Sequence, residues 1–457
     1  MNLVSIREHG NSGEHGLDLV ALDRLDNAAR EDQRLQRNEG PLVRVGRDGV
    51  IRAGGLVGFL QTGALSVEVF PKYVARSNDT LDAKAAGEAR ANFIGLLDFC
   101  RVYRTQPGLP RQLATEAGSL AEFMLHGMAG RLRSQLRRGV KRAYIEREEA
   151  LEVVRGRILL DRQLIEGRGL PIPMRCRYER HESNTPLARL LALHALLLAR
   201  RSRWSATRRI AAQATHMLPG VWPSRAYERD RAKVHFNRGN QRFEPCVRDL
   251  ELLVGRRRHD IATQHRTPSW ALSWDMGPVF ERYVERVLKR TLPQDDPLPA
   301  ISVVGQDRVG YLASEPGEEE FKVFQQKPDI VATVGDERTV IIDAKYKRPT
   351  NFRPSESDVR QVLAYAELWN RQRRIGDEPF CDRVVLLYPR PWQQAAADGP
   401  PKSYDLFAKV PGGPRVGKRV QLVIATIEFG ADPTARLGEI RTARLGEIRK
   451  DIAAWML

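Results

Sequence analysis

Two short apolar segments between Lys327 and Tyr346 constrain the fold of this chain more than any other feature. The halves KPDIVATV and TVIIDAKY are rich in β-branched residues, and Gly335 and Asp336 lie between them. Such a pattern predicts a β-hairpin. An amphipathic helix over Met276–Leu288 precedes it, and a second helix over Asp358–Trp369 and a strand over Arg383–Tyr388 follow. This order of elements predicts a compact α/β domain.

Charged residues interrupt the hairpin at chemically suggestive positions. Because side chains alternate along a strand, Asp343 and Lys345 share one face, and Asp329 begins the partner strand within reach of Asp343. A carboxylate inside an apolar strand is costly unless something pairs with it. Two carboxylates can hold Mg²⁺, and a lysine can position or deprotonate a water or stabilise a phosphodiester transition state. The alternative is an ordinary surface Asp/Lys pair.

The order Pro328-Asp329…Asp343-Ala344-Lys345 resembles the PD-(D/E)XK nuclease superfamily. The resemblance implies a mixed sheet flanked by helices, with Asp329, Asp343 and the backbone carbonyl of Ala344 as metal ligands. Glu281 resembles the helix glutamate that adds to such metal sites, although it could be a solvated charge. Gln361 and Tyr365 resemble the Q-x-x-x-Y motif of the RecB-like branch, in which the glutamine orients the site, although Tyr365 could simply pack in the core.

The rest of the chain divides into regions of different character. We predict a β-rich N-terminal, partner-binding region at 1–110, a helical and strongly basic region at 111–262, and the nuclease domain with a C-terminal extension at 263–457. Residues 75–90 look like an exposed connection. Strands are predicted at Leu42–Val45, Gly58–Leu60 and Val67–Phe70, and helices from Ala91, over Leu120–Val140 and as a pair within 184–217.

The net charge of +17 is concentrated in the middle of the chain. Residues 101–260 contain 33 Lys and Arg against 16 Asp and Glu, an excess equal to the whole net charge. Such a region favours polyanions, unless the chain simply uses arginine heavily throughout. The longest apolar run, Leu190–Ala199, is too short to cross a membrane. The N-terminus lacks the features of a signal peptide, and four scattered cysteines argue against a disulfide framework. We therefore expect a cytoplasmic protein.

Further stretches resemble the McrC family, the nuclease subunits of McrBC modification-dependent restriction systems. The matching stretches are Val67–Lys72, Arg138–Tyr144, Val154–Ile158, Glu182–Leu187, Met276…Phe280-Glu281…Tyr283 and Asp343–Tyr346. The resemblance implies a Mg²⁺-dependent endonuclease that acts on double-stranded, methylcytosine-containing DNA. It also implies an AAA+ GTPase partner of the McrB type, whose ring the N-terminal region enters and whose GTP hydrolysis it stimulates. The GTP is then bound by the partner and not by this chain.

Two other functions stay open. One is a free-standing RecB-like repair nuclease, whose DNA channel would be the basic region. The other is a non-enzymatic adaptor with a nuclease-like fold. Within the McrC interpretation, we favour docking to the partner over DNA binding as the role of the basic cluster Arg137–Lys141.

Three other features carry no predicted function. Gly412–Arg419 nearly matches a P-loop, but Arg419 replaces the hydroxyl residue that binds Mg²⁺, and Pro414 lacks an amide donor. His259 and His265 lack metal-ligand spacing. The repeat TARLGEIR at 434–441 and 442–449 is too short for a solenoid.

Overall fold

A computed structural model gives the fold for most of the chain. It describes residues 2–13, 19–36, 40–62, 65–73, 81–103, 118–166, 173–254, 269–291, 301–305, 310–315, 318–334, 338–347, 353–372, 380–391, 402–406 and 420–429. The predicted hairpin turn at 335–337, the near-P-loop at 412–419, His259, His265 and the repeat at 434–449 lie outside these residues.

The packing of the chain gives two compact units. The first unit comprises Met1–Thr105 and Ser273–Leu457, and the second comprises Gln106–Leu272. Strands and helices occur in both units, so the prediction of a mixed α/β protein is confirmed. We predicted three consecutive regions, whereas the N-terminal strands pack into one unit with the elements after Ser273.

The N-terminal part of the first unit is built mainly from strands. Its elements are β1 (Asn2–Arg7), α1 (Leu19–Gln36), β2 (Val43–Val45), β3 (Ile51–Ala53), β4 (Leu56–Thr62), β5 (Leu65–Phe70) and α2 (Ala83–Phe99). β1 lies parallel to β5, β4 lies antiparallel to β5, and β2 and β3 form a separate hairpin. The three predicted strands of this part are confirmed.

In the N-terminal part, one helix was not predicted and one expectation was wrong. The helix that was not predicted is α1, although it buries Leu22, Leu25 and Ala29 at helical spacing. The 75–90 segment is not simply an exposed connection, because α2 begins at Ala83. The side chain of Asp82 accepts a hydrogen bond from the Ala85 amide and caps this helix.

The second unit is mainly helical. Its elements are α3 (Leu120–Leu136), β6 (Ala143–Leu151), β7 (Arg157–Ile158), α4 (Leu160–Glu166), β8 (Met174–Glu182), α5 (Pro186–Arg201), α6 (Ser205–His216), α7 (Tyr227–Ala232), a 3₁₀ turn (Gln241–Phe243) and α8 (Glu244–Val254). The two helices predicted within 184–217 are confirmed, and Thr185 and Pro186 begin the first of them as expected. The predicted helix over Leu120–Val140 ends at Leu136, just before Gly139 with its positive φ of 76°.

The middle region was predicted to be helical, and it also contains strands, because β6, β8 and β7 form an antiparallel sheet. Glu148 stands directly opposite Arg177, and their side chains form an ion pair of 2.5 Å. Arg147 likewise bonds Glu182, at 2.8 Å. Cross-strand ion pairs of this kind support the ribbon in place of an apolar face.

The C-terminal part of the first unit contains the predicted hairpin. Its elements are β9 (Ser269–Asp275, of which Ser273–Asp275 lie in this unit), α9 (Met276–Thr291), β10 (Ile301–Gly305), β11 (Gly310–Glu315), β12 (Glu318–Gln326), β13 (Ile330–Val334), β14 (Arg338–Ala344), α10 (Glu356–Gln372), β15 (Phe380–Pro391), β16 (Lys402–Leu406) and β17 (Val420–Phe429). β9 extends the N-terminal sheet, in the order β1-β5-β4-β9. A six-stranded mixed sheet has the order β10-β13-β14-β15-β17-β16.

Apolar side chains hold α10 against one face of the six-stranded sheet. Val362, Tyr365 and Trp369 of the helix pack with Ile341 of β14 and with residues of β15 and β17 in one buried cluster. On α9, Phe280 makes an edge-to-face ring contact with Phe429 of β17, at 5.0 Å between centroids. Both helices therefore pack against the elements that carry the predicted site. In the described part of the chain, no helix is long and apolar enough to cross a membrane.

Candidate active site

The hairpin register brings the two predicted aspartates together. β13 and β14 are antiparallel, with Ile330 opposite Ile342. One step further along the same register, Asp329 stands opposite Asp343. The backbone amide of Ala344 donates a hydrogen bond of 2.7 Å to Asp329 Oδ2, which ties this carboxylate to the end of β14.

Lys345 connects the strand to helix α10. Its Nζ lies 2.8 Å from Asp343 Oδ2 and donates a hydrogen bond of 2.9 Å to Gln361 Oε1. Gln361 Nε2 in turn donates to the hydroxyl of Tyr365, at 2.6 Å. The four-residue spacing on α10 places Gln361 and Tyr365 on one face, and this face meets the side of β14 from which Asp343 and Lys345 project.

Burial and mutual repulsion set the protonation behaviour of the aspartates. Burial, followed by the nearby carboxylates of Asp343 and Glu281, raises the pKa of Asp329 to about 7. Burial also raises the pKa of Asp343, although the Lys345 ammonium opposes this effect. Burial alone would lower the pKa of Lys345, but Asp343 outweighs it, and the pKa lies above its usual value.

The residues present fit a divalent cation. The Asp343 side chain is 1% exposed; its Oδ2 faces the Lys345 ammonium at 2.8 Å, whereas its Oδ1 has no hydrogen-bond partner among the described residues. Hard oxygen donors of this kind are the ligands that Mg²⁺ prefers, and a cation would relieve the repulsion that raises the pKa of Asp329. In the described residues, no three acidic, histidine or cysteine side chains already stand close enough to share a metal ion.

Glu281 lies on α9, where its side chain is partly buried. Its negative charge contributes to the raised pKa of Asp329, so the two carboxylates lie close enough to interact electrostatically. Of the predicted residues, Asp343, Lys345 and Gln361 are joined by direct side-chain contacts, and Asp329 is bonded to the Ala344 amide. The charge of Glu281 acts on Asp329.

Sequence reasoning missed a further carboxylate at this site. Asp358, one turn before Gln361 on α10, forms an ion pair of 2.6 Å with Lys347 and accepts a hydrogen bond of 3.3 Å from the Tyr388 hydroxyl. Its charge also acts on Asp343 and Lys345. The sequence carried a signal for this pair, since Lys347 follows Lys345 by two residues and Asp358 precedes Gln361 by three.

The contacts that hold Tyr346 were also not predicted from the sequence, because no local pattern indicates them. The Tyr346 hydroxyl donates a hydrogen bond of 2.8 Å to Glu8 Oε2, across 338 residues of sequence. Lys72 Nζ lies 4.5 Å from the centre of the Tyr346 ring, and Tyr73 meets that ring edge to face. The N-terminal strands therefore hold the residue next to Lys345.

The family assignment follows from comparison with known proteins. Residues 51–389, well over half of the chain, match the family described as "McrBC 5-methylcytosine restriction system component". This chain belongs to that family. The resemblance to McrC drawn from the sequence is thereby confirmed. No protein with a curated description matches the chain in sequence.

Solved structures of this restriction system are similar to the chain. One match is a chain of a refined half-complex, with a TM-score of 0.68 and 21% identity. The half-complex comes from a tetradecameric assembly of Thermococcus gammatolerans McrB AAA+ hexamers with bound McrC. That match covers 99% of both chains and supports the fold. A chain from the cryo-EM structure of the Thermococcus gammatolerans McrBC complex matches at a TM-score of 0.47 and 20% identity, over 65% of this chain and 89% of that one.

Proposed function

We propose that this protein is the endonuclease subunit of a modification-dependent restriction system, with a PD-(D/E)XK nuclease fold in its C-terminal part. Its substrate is double-stranded DNA that contains methylcytosine. The observation that carries this proposal is the convergence of Asp329, Asp343 and Lys345 at one end of the hairpin, with Gln361 bonded to the lysine. Family membership supplies the substrate class.

Each residue of the site has a distinct role in the proposed reaction. Asp329, Asp343 and the carbonyl of Ala344 would hold Mg²⁺, with Glu281 as a further carboxylate. When bound, the cation polarises the scissile phosphate and lowers the pKa of a water molecule. The amide of Ala344 holds Asp329 in place for this task.

Lys345 acts on the attacking water or on the phosphate. Its Nζ is fixed by two partners, Asp343 and Gln361, so the ammonium reaches the reacting atoms in one defined position. Because its pKa is raised, the lysine is charged at neutral pH, and this state favours stabilisation of negative charge on the phosphate. Gln361, which is itself held by Tyr365, keeps the ammonium oriented.

A GTPase of the AAA+ class is the proposed partner. The similar chain from Thermococcus gammatolerans comes from an assembly of McrB AAA+ hexamers with bound McrC. We propose that this chain likewise binds such a ring and stimulates its GTP hydrolysis, while GTP stays bound to the partner. Arg137 and Arg138 follow α3 and are exposed, whereas the apolar side chains of α3 are buried. These cations are therefore available to the partner.

Cleavage of methylated DNA tests the nuclease assignment. Asp343→Asn, assayed with Mg²⁺, GTP and the partner, should abolish cleavage while binding to the partner is retained. Asp382→Asn is the matched control, because Asp382 lies on the neighbouring strand β15 in an exposed pair with Arg338. Normal cleavage by Asp343→Asn would show that the site is not a nuclease centre and would favour the adaptor alternative.

Dependence on the partner separates a restriction subunit from a repair nuclease. The purified chain alone should not cleave DNA efficiently, and robust cleavage without any GTPase would favour the free-standing enzyme. Arg137→Glu with Arg138→Glu should reduce GTPase stimulation and leave DNA binding by the isolated chain unchanged. The opposite pattern would assign this basic cluster to DNA.

A further inference from the structure

An open cleft in the second unit combines an exposed tryptophan with several cations. It has a volume of about 620 Å³ and lies around the segment that leads into α7. Trp222, whose side chain is 73% exposed, lines it together with three exposed cationic residues. These cations are Arg225, Arg229 and Lys233.

A partly buried ion pair gives the cleft a fixed base. Arg189 donates to both carboxylate oxygens of Asp230, at 2.5 and 3.0 Å, and to the carbonyl of Asn184. The Ser224 hydroxyl bonds the same carboxylate at 2.6 Å, and the Ser224 amide bonds the Arg189 carbonyl. The bond from Arg189 lowers the pKa of Asp230, so the pair stays ionised at neutral pH. The segment that carries Trp222 is thus anchored to helix α5.

This pairing leaves the cleft with uncompensated positive charge. Asp230 neutralises Arg189, and it is the single acidic residue that lines the cleft in the described part of the chain. For Arg225, Arg229 and Lys233, the described residues provide no ion-pair partner within 4 Å. Three cations thus line the same cleft as a large aromatic side chain that is exposed to solvent.

We infer that this cleft binds a nucleotide of an unpaired DNA strand, with the base stacked on Trp222 and the adjoining phosphates on the three cations. Aromatic side chains inside a basic groove are the means by which proteins hold single strands, because every base has a face that can stack. The volume lies in the range of about 300–1,000 Å³ typical of sites for small ligands. Bases inside a duplex are already stacked on their neighbours and offer no free face to the tryptophan, so the cleft should favour unpaired strands.

This inference goes beyond the proposed function, since no feature of the Asp343 site requires an unpaired strand. A free nucleotide has the same base and phosphate chemistry as a strand. The three separate cations favour the strand, because successive phosphates can contact them. Acidic peptides are the other class of polyanion, but their Asp and Glu side chains carry no flat ring, whereas every nucleotide combines a phosphate with a base that can stack on the tryptophan.

Binding of a fluorescent oligothymidylate to the full chain in EDTA tests the inference without any cleavage. Trp222→Ala should weaken binding by about tenfold or more, given the contribution of one stacked base. Arg225→Glu with Arg229→Glu should weaken binding further and reduce its salt dependence by about 0.7 in log–log slope per phosphate lost. Arg208→Glu with Arg209→Glu is the matched control, because these exposed arginines lie on α6 and do not line the cleft.

Three further measurements decide the outcome. Binding of a duplex of equal length should be unaffected by Trp222→Ala, and thymidine monophosphate should compete only weakly with the oligonucleotide. Equal oligonucleotide binding by Trp222→Ala and the unchanged chain would overturn the inference. The inference would also be overturned if the cleft variants lost binding to a polyglutamate peptide but still bound DNA normally. That result would assign the cleft to a protein partner. Because the assay needs neither Mg²⁺ nor Asp343, its result is independent of the nuclease proposal.

Discussion

Glu8 and Tyr346 form a hydrogen bond of 2.8 Å between the end of the first strand and the residue that follows Lys345. Glu8 is 5% exposed, and its other carboxylate oxygen lies 3.5 Å from His9. Tyr346 is also in contact with the rings of Tyr73 and Phe429. The N-terminal strands thereby fix the backbone at the point where the proposed catalytic lysine leaves the sheet.

Removal of this bond should impair cleavage. We expect Glu8→Ala to lower the cleavage rate about tenfold to a hundredfold, because small displacements of a reacting group have effects of this size. Glu8→Gln keeps an acceptor for the Tyr346 hydroxyl and should retain most of the activity. Steady-state cleavage with the partner present measures both variants. Equal activity of Glu8→Ala and the unchanged chain would show that Tyr346 needs no such support.

Gln361 should matter through Lys345 rather than through folding. Gln361→Ala removes the acceptor 2.9 Å from Lys345 Nζ, and the expected loss is about tenfold or more in turnover, with little change in the affinity for DNA. Tyr365→Phe removes only the partner of the Gln361 amide and should have a smaller effect. Glu356→Gln, at an exposed position of the same helix, is the control. A change in DNA affinity alone would assign Gln361 to substrate binding.

The sequence predicts those parts of the site that depend on local patterns. Alternation along β14 placed Asp343 and Lys345 on one face, and the four-residue step on α10 placed Gln361 beside Tyr365. Both inferences need only strand and helix periodicity. Glu8 could not be found in this way, because its contact with Tyr346 depends on the packing of distant strands.

The paired strands β6 and β8 could not be predicted from the sequence for a different reason. β8 alternates apolar and charged residues only over Met174–Tyr178, and β6 has charged residues on both faces, so the apolar alternation that identifies a strand is short. Pairs such as Glu148 with Arg177 stabilise the two strands, and such pairs become visible only when the register is known. The hydrophobic pattern therefore does not predict these strands, and it indicates a helical region.

The buried pair of Glu68 and Arg90 should dominate the stability of the N-terminal sheet. The side chains are 0% and 3% exposed, and Arg90 donates two hydrogen bonds to the Glu68 carboxylate. Arg90→Met leaves a buried carboxylate without its main partner and should lower the free energy of unfolding by roughly 3–5 kcal/mol. Urea titration followed by circular dichroism measures this change.

A matched substitution separates burial from charge. Arg30 forms an ion pair with Asp26 on helix α1 but is 69% exposed, so Arg30→Met should cost less than about 1 kcal/mol. Adding Glu68→Gln to Arg90→Met should restore part of the lost stability, because the uncompensated charge is then removed. A double variant less stable than Arg90→Met would contradict this explanation.

His194 should make the second unit sensitive to acid. Its side chain is fully buried on α5, and neither ring nitrogen finds a hydrogen-bond partner among the described residues. Burial, assisted by the charge of Arg131, lowers the pKa of His194 to about 3, so the ring is neutral in the folded state. The unfolded chain takes up the proton near pH 6.5. The stability contributed by the neutral ring is therefore complete above pH 6.5 and is lost as the pH falls from 6.5 towards 3.

Replacement of His194 by methionine removes this titration. Between pH 7.5 and pH 5, we expect the unchanged chain to lose roughly 2 kcal/mol more unfolding free energy than His194→Met does. His216→Met is the control, because His216 is exposed on α6. Calorimetric melting at the two pH values measures the difference. A parallel pH response of His194→Met and the unchanged chain would show that His194 is not the group that confers acid sensitivity.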